Sequence, residues 1–337
     1  MKSLKKTNPK WRHIGLALVL GLSGSLAQAQ AKLSFGLPGI PPVFASVQVL
    51  VAQQEGFFKK HGVDVTLREF SSGAGASRAV ATGEVSLALA PSPLVISQVS
   101  NTNVPLVAVY GLEHPDWALG STDPKASCET IKGQGVGVDA VGGARSIALK
   151  TLLIGGCKLQ LSDVQQVALS SNTGPAMIAG QIKYGVLHID DIPIIEDQGK
   201  KPVTLIVTQG KVRPMDHYMM VVANSANLAK DRDAYVRFVA ALIDAERFMR
   251  NPANAERVAK DASQTGRTVP YALKSLNAYL PMDFWPNGTD GLTQKNIELL
   301  GNTMKKIGNI KADKEVATFA RLTDPSIWRD ARAIVKP

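Results

Sequence analysis

Along residues 32–110 the apolar positions alternate between two rhythms. Leu33–Leu37 is a short apolar run halted by Pro38 and Gly39, as a strand ending in a turn would be. Val43, Val47, Leu50 and Val51 then recur at helical spacing and form one apolar stripe, and Gly62 suits a left-handed helix cap. Val63–Leu67 alternates as a strand does, Ser71–Ala74 is a small-residue turn, and a helix is predicted near Ala74–Thr82. Val85–Ala90 reads as a third strand, Pro91–Pro93 as the start of another helix, and Pro105–Tyr110 as a fourth strand. Strand and helix alternating at this pace predict parallel strands with helices on both faces.

The same grammar repeats downstream. Trp117–Ser121 is taken as the first crossing into a second lobe, followed by a short helix to Lys132 capped by Ser127, a strand Gly135–Asp139 and a helix Ser146–Ile154. Strands Val164–Leu169, Tyr184–His188 and Val203–Thr208 follow, with a helix Pro175–Ala179 after the first of them. His217–Ala223 is the return crossing, and the remainder is helical, with Tyr235, Phe238, Val239, Leu242, Ala245 and Met249 on one face. A chain of 337 residues exceeds one comfortable core. The expected division is 32–113 plus 217–337 as the first lobe and 114–216 as the second.

Ligands of open parallel sheets sit beyond the carboxyl ends of the strands. Here those ends are Gly36–Pro42, Ser71–Ala74 and Ala90–Pro93, and none carries Lys, Arg, His, Asp or Glu. Hydroxyls, backbone N–H groups and helix N-termini suit a small polar or anionic group and are poor equipment for breaking bonds. Candidate contacts are therefore Ile40 in the first segment, Ser72, Gly73 and Ala74 in the second, and Pro91 and Ser92 in the third. In the second lobe the turn Ala140–Arg145 is the sharpest candidate. Gly142 and Gly143 precede a helix whose N–H groups point outward, and Arg145 can clamp a carboxylate or sulfonate; equally, the glycines can serve only the turn and Arg145 lie on the surface. Asn172 and Thr173 offer amide and hydroxyl contacts or a plain helix cap. His188 and Asp190 can read a polar end of the ligand or be solvated loop charges. Phe44, Tyr110 and Tyr218 can pack a ligand body, although core packing is the commoner fate of such side chains.

Several motifs in fixed order resemble the substrate-binding proteins of ABC importers, in the nitrate/sulfonate/taurine and pyrimidine-precursor (thiamine pyrimidine synthase-like) branch. Gly56-Phe57-Phe58, then Gly62, then Val63-Asp64-Val65 matches that family's helix end and following strand. Gly83-Glu84-Val85-Ser86 matches its strand start, with Ser86 where Asp is usual. Lys132-Gly133 leading to Val136-Gly137-Val138, and the stretch Leu152–Val164, match second-lobe motifs, while Lys183 stands where an acidic residue is usual. The resemblance implies a type II periplasmic-binding-protein fold: α/β, two lobes with mixed sheets, and a hinge of two crossing segments. It also implies a non-enzymatic, cofactor-free receptor, a monomer in the periplasm, that binds a sulfonate, aromatic carboxylate or pyrimidine-like ligand and delivers it to an ABC permease and its ATPase. Two alternatives stay open: a pyrimidine-precursor synthesis enzyme of the same fold, and a ligand-sensing subunit for a membrane receptor.

Composition changes the picture in two places. Hydrophobic residues make up 45% and charged residues 20%, which is ordinary for a globular chain. The formal net charge is +10, but half of it comes from Lys2, Lys5, Lys6, Lys10 and Arg12, which precede the apolar run Ile14–Leu22. With Ala27–Ala29 or Ala29–Ala31 as a small-residue site, residues 1–31 read as a secretory signal peptide cleaved after Ala29 or Ala31. The remaining charge is mildly basic, and no basic run interleaved with aromatics argues for nucleic acid. Cys128 and Cys157 are the only cysteines. They are far from the cleavage region, so neither can carry a lipid anchor there. Their spacing fits no metal site, leaving one disulfide or two free thiols. The glycines 133, 135 and 137 enter a strand instead of following one, so they are no dinucleotide fingerprint.

Overall fold

The computed structural model describes residues 30–170, 173–213 and 216–335; residues 1–29 of the expected signal peptide 1–31, and Asn172, lie outside the described residues. The strands are β1 (Ala31–Pro38), β2 (Val63–Phe70), β3 (Leu87–Pro91), β4 (Leu106–Leu112), β5 (Trp117–Ser121), β6 (Gly135–Val138), β7 (Gln165–Ala168), β8 (Tyr184–His188), β9 (Thr204–Thr208) and β10 (Met219–Asn224). The helices of eight residues or more are α1 (Val47–Gln54), α2 (Gly73–Ala81), α3 (Ser92–Thr102), α4 (Ala144–Leu152), α5 (Ile192–Gly199), α6 (Arg232–Arg250), α7 (Ala255–Ala262), α8 (Val269–Tyr279), α9 (Gln294–Lys306) and α10 (Ser326–Ile334).

Two five-stranded sheets repeat one plan, β2-β1-β3-β10-β4 and β7-β6-β8-β5-β9. Strands β1, β2 and β3 run parallel, as do β6, β7 and β8. The exceptions are β10, antiparallel to β3 and β4, and β5, antiparallel to β8 and β9. Each of these follows a crossing between the sheets, so the chain comes in from the far side and runs against its neighbours. The strict alternation read from the sequence therefore holds within each half and breaks at the crossings.

Burial explains the apolar composition of the central strands. Every residue of β3, β4 and β10 is buried, as expected of strands covered on both faces. Phe238 of α6 stacks on Phe35 of β1 at 5.4 Å and on Phe58 at 5.0 Å, which seats the helix across the first sheet. Side chains of this size contribute about 1.5–3 kcal/mol each on full burial. Tyr279, Phe284 and Trp285 form a second aromatic knot, with Tyr279 and Phe284 stacked at 4.3 Å and the Trp285 indole donating to the Ala45 carbonyl at 3.1 Å.

One helix expected from the sequence is a turn. At Ser127 the hydroxyl oxygen accepts from the N–H groups of Glu129 (3.1 Å) and Thr130 (3.3 Å). These are the bonds of a helix cap, as expected at Ser127, and the Ile131 N–H reaches the Ser127 carbonyl at 3.2 Å, but the turns that follow do not lengthen into a helix. Next to it, Cys128 is joined by a disulfide to Cys157, with Cα atoms 5.2 Å apart. The bond ties this turn to the π-helical turn Leu153–Cys157 that ends α4.

Candidate ligand-binding site

The two sheets present their strand ends to one cavity of about 410 Å³ that opens to solvent. It is lined by the residues at or just past the ends of β1 (Pro38, Gly39), β2 (Ser71, Ser72), β3 (Pro91), β6 (Asp139) and β8 (His188), and by Ser170 two residues beyond β7. Trp117, at the start of β5, and Tyr218 and Met219, at the start of β10, complete the wall. The antiparallel strands begin where the parallel ones end, so each crossing delivers aromatic side chains to the cavity. A wider hollow of about 800 Å³ shares Val43, Arg145 and His188 with it and runs between Pro41-Pro42, Pro175 and Ile178, Ile194 and Arg267.

The first-lobe wall is built by close approach. Ser72 caps α2, its hydroxyl accepting from the Gly75 N–H at 3.3 Å, and the start of α2 is pressed against β3. A Cβ on Gly73 would lie 2.4 Å from the Pro91 ring, so no other residue fits without displacing that contact. The second-lobe wall is unlike the reading from sequence. The N-terminus of α4 is already occupied by Asp139. Its Oδ1 accepts from the N–H groups of Ala140 (2.8 Å) and Arg145 (3.0 Å), and its Oδ2 from Ala144 (3.0 Å). A Cβ on Gly143 would stand 2.6 Å from that carboxylate, which is the reason for glycine there.

Arg145 itself is drawn inward. Only 5% exposed, it lines both hollows. Its guanidinium lies 5.8 Å from the Trp117 ring centre and Nη2 is 3.7 Å from Asp191. Among the described residues Nη1 has no hydrogen-bond partner. A buried guanidinium N–H without an acceptor is costly, and the residue that carries it is part of the cavity wall.

Behind the wall lies a buried polar chain. The His188 ring lies 4.1 Å from Trp117, and its Nδ1 is 3.1 Å from each Asp116 oxygen and 3.1 Å from the Tyr218 hydroxyl. Burial works against ionisation of Asp116, but the charge of His188 and the hydrogen bonds from His188 and Tyr279 outweigh it and hold its carboxyl below the ordinary range. Burial likewise disfavours imidazolium, yet Asp116 overcomes this and raises His188 above its usual value. The Tyr279 hydroxyl is 2.7 Å from Asp116 and 2.9 Å from Asp190. One phenolic proton cannot serve two carboxylates, and burial pushes Asp190 upward despite its ion pair with Arg267, so Asp190 is the member suited to hold the second proton. Asp116, His188 and Asp190 each offer an atom within 4.8 Å of the others. Tyr279 between the carboxylates and Arg267 against Asp190 already satisfy that set from within the protein.

Of the side chains singled out by sequence, Ser72, Gly73, Pro91, Arg145, His188 and Tyr218 line the cavity. Others lie elsewhere. Ser92 is fully buried, its hydroxyl 2.6 Å from Nδ1 of His217. Phe44 packs beneath Arg267 and beside Tyr279, and Tyr110 is buried against Gln48. Thr173 is buried at the start of the short helix Thr173–Ile178, and Asp190 faces Arg267. Ala74 packs on the apolar cluster under α2, Gly142 is exposed with its N–H on Ser146, and Gly143 lies under Asp139. Ile40 is 53% exposed between Gly39 and Pro41, which line the two hollows. The residues that sequence reasoning passed over are Trp117, Asp139, Ser170, Asp116, Tyr279 and Arg267. Asp139 carried a signal, since it follows a strand and precedes a Gly-Gly helix start; Arg267 and Tyr279 sit in the helical tail with nothing to mark them.

Two facing lobes with mixed sheets and a cavity at their strand ends define the periplasmic-binding-protein fold. The chain belongs to the NMT1/THI5-like family, whose model matches residues 44–255. Among curated proteins no sequence matches it. Solved structures share the fold at low identity. The nitrate-binding protein NrtA of Synechocystis superposes with a TM-score of 0.76 at 12% identity, covering 91% of this chain and 90% of that one. The alkanesulfonate-binding protein SsuA of Xanthomonas axonopodis, bound to MOPS, gives 0.68 at 15%, covering 87% and 98%. The aliphatic sulphonate-binding SsuA of Escherichia coli gives 0.63 at 15%, covering 89% and 99%. No helix among the described residues is long and apolar enough to cross a membrane.

Proposed function

We propose that this chain is the extracytoplasmic solute-binding component of an ABC importer. It binds a small polar or anionic organic molecule between lobes 32–113 plus 217–337 and 114–216, closes by hinge motion about the two crossings, and passes the solute to a permease and its ATPase. It is exported by its leader, works as a monomer in the periplasm and changes no bond. The observation that carries this reading is Arg145, buried, lining the cavity where both sheets end, with Nη1 left without an acceptor among the described residues. The neighbouring binding proteins for nitrate and sulfonates, the disulfide and the basic-apolar leader support it.

A buried Ser–His pair, Ser92 and His217, lies outside the cavity wall, and Nε2 of His217 is 2.6 Å from the Gly291 carbonyl. That arrangement suits structure better than nucleophilic attack. The test is a thermal-shift screen of the mature protein against sulfonates, aromatic acids and pyrimidines, followed by calorimetry. A bound ligand should raise Tm, and Arg145→Ala should weaken an acidic ligand about 10- to 100-fold, the value of a hydrogen bond to a charged group. Turnover of a hit, or no hit across all three classes, would count against the proposal.

A further inference from the structure

We propose that Asp139 is a specificity-determining residue. By filling the N-terminus of α4 with the protein's own carboxylate, it makes the cavity accept a dipolar ligand, with an N–H donor towards Asp139 and an acidic or acceptor group towards Arg145. Simple anions are excluded. This rests on the cavity being the ligand site, and it narrows the ligand class.

Five donors at the α4 start are taken. The N–H groups of Ala140, Ala144 and Arg145 go to Asp139, that of Gly142 to Ser146 Oγ at 3.0 Å, and that of Gly143 to the Ala140 carbonyl at 2.9 Å. A helix N-terminus carries roughly half a positive charge, so one carboxylate placed on it reverses the sign of that wall. Asp139 is half-buried and lines the cavity. Its carboxylate therefore remains available to a ligand donor after satisfying the backbone, because two oxygens offer about four acceptor sites. The opposite pole is independent of the helix: Arg145 is 5% exposed with Nη1 unpartnered among the described residues, in the same cavity.

Behind the wall Asp116 and Asp191, with Asp190 protonated, stand against Arg145, Arg267 and His188, so that set is positive by one charge and Asp139 supplies the negative pole of the cavity. Trp117 and Tyr218 on the wall favour a flat body between the two poles.

The probes are 4-(aminomethyl)benzoate and 4-methylbenzoate, which share ring and carboxylate and differ in the ammonium group. Calorimetry on the wild type should show the dipolar compound binding at least about 10-fold tighter, since like charges brought together cost several kcal/mol. Asp139→Asn keeps the shape and should lose that preference. Asp139→Ala opens the α4 N-terminus, and it should gain binding of 4-methylbenzoate and of methanesulfonate that the wild type lacks. Circular dichroism and Tm verify that both variants are folded. Equal or tighter binding of 4-methylbenzoate by the wild type overturns the proposal. So does no gain of anion binding in either folded variant. The gain-of-binding arm does not require the natural ligand, so its failure beside a successful ligand screen sinks the role of Asp139 and leaves the transport reading standing.

Discussion

At the scale of single residues, His217 shows how burial fixes a protonation state. Its Nε2 faces a carbonyl, which can only accept, so Nε2 carries the proton and Nδ1 accepts from the Ser92 hydroxyl. Burial drives its pKa down to about 4, against about 6.5 in an unfolded chain. A group depressed in the folded state lends stability that is fully present above its unfolded pKa and is lost as pH falls towards the folded one. Between pH 7 and pH 4 this residue should cost up to about 3 kcal/mol of stability. Urea titrations at those two pH values measure the difference, and His217→Gln should remove most of this contribution. A wild-type profile flat over that range would contradict the assignment. Arg145, by contrast, was legible as a residue type and not as a geometry. The sequence placed it beside a Gly-Gly turn, but nothing in that spacing reveals that Asp139 folds back onto the same turn.

Elements were easier to read than contacts. The strands fell where apolar runs met Gly, Pro or Ser, because those residues end strands for local reasons. At Ser127 the cap was read correctly, but what it caps is a short turn. What stayed hidden were partnerships between distant segments. Arg267 with Asp190 and Asp191, and Tyr279 with Asp116, join residues from opposite ends of the chain, and no periodicity records them. The pairing of Cys128 with Cys157 was also open until their Cα atoms were placed 5.2 Å apart. Closing the 29-residue separation between them should be worth about 3.5 kcal/mol on chain-entropy grounds. Cys157→Ser should lower the urea midpoint accordingly, with no further effect of reductant on the variant.

On the scale of the whole molecule, a few contacts join the segments expected to form the two lobes. Arg267 reaches Asp190 and Asp191, Tyr271 bonds Asp197, Arg213 bonds Thr303, and Lys150 lies 3.4 Å from Asn309. Arg267→Gln removes the cation that Asp190 and Asp191 share at the junction, and breaking a buried pair costs about 3–5 kcal/mol. It should shift the ligand-free protein to a more open form, seen as a larger radius of gyration in X-ray scattering; an unchanged radius would show that the latch lies elsewhere. The strand order carries a different consequence, for biogenesis. Sheet β7-β6-β8-β5-β9 uses one continuous run of chain, whereas β10 must wedge between β3 and β4, and Phe35 must wait for Phe238. A polypeptide folding as it emerges can therefore finish the inserted half while the flanking half is still without β10. In pulse-labelled refolding, amides of β5–β9 should become shielded before those of β4 and β10, because β10 pairs with β3 and β4 across separations of about 110 to 135 residues.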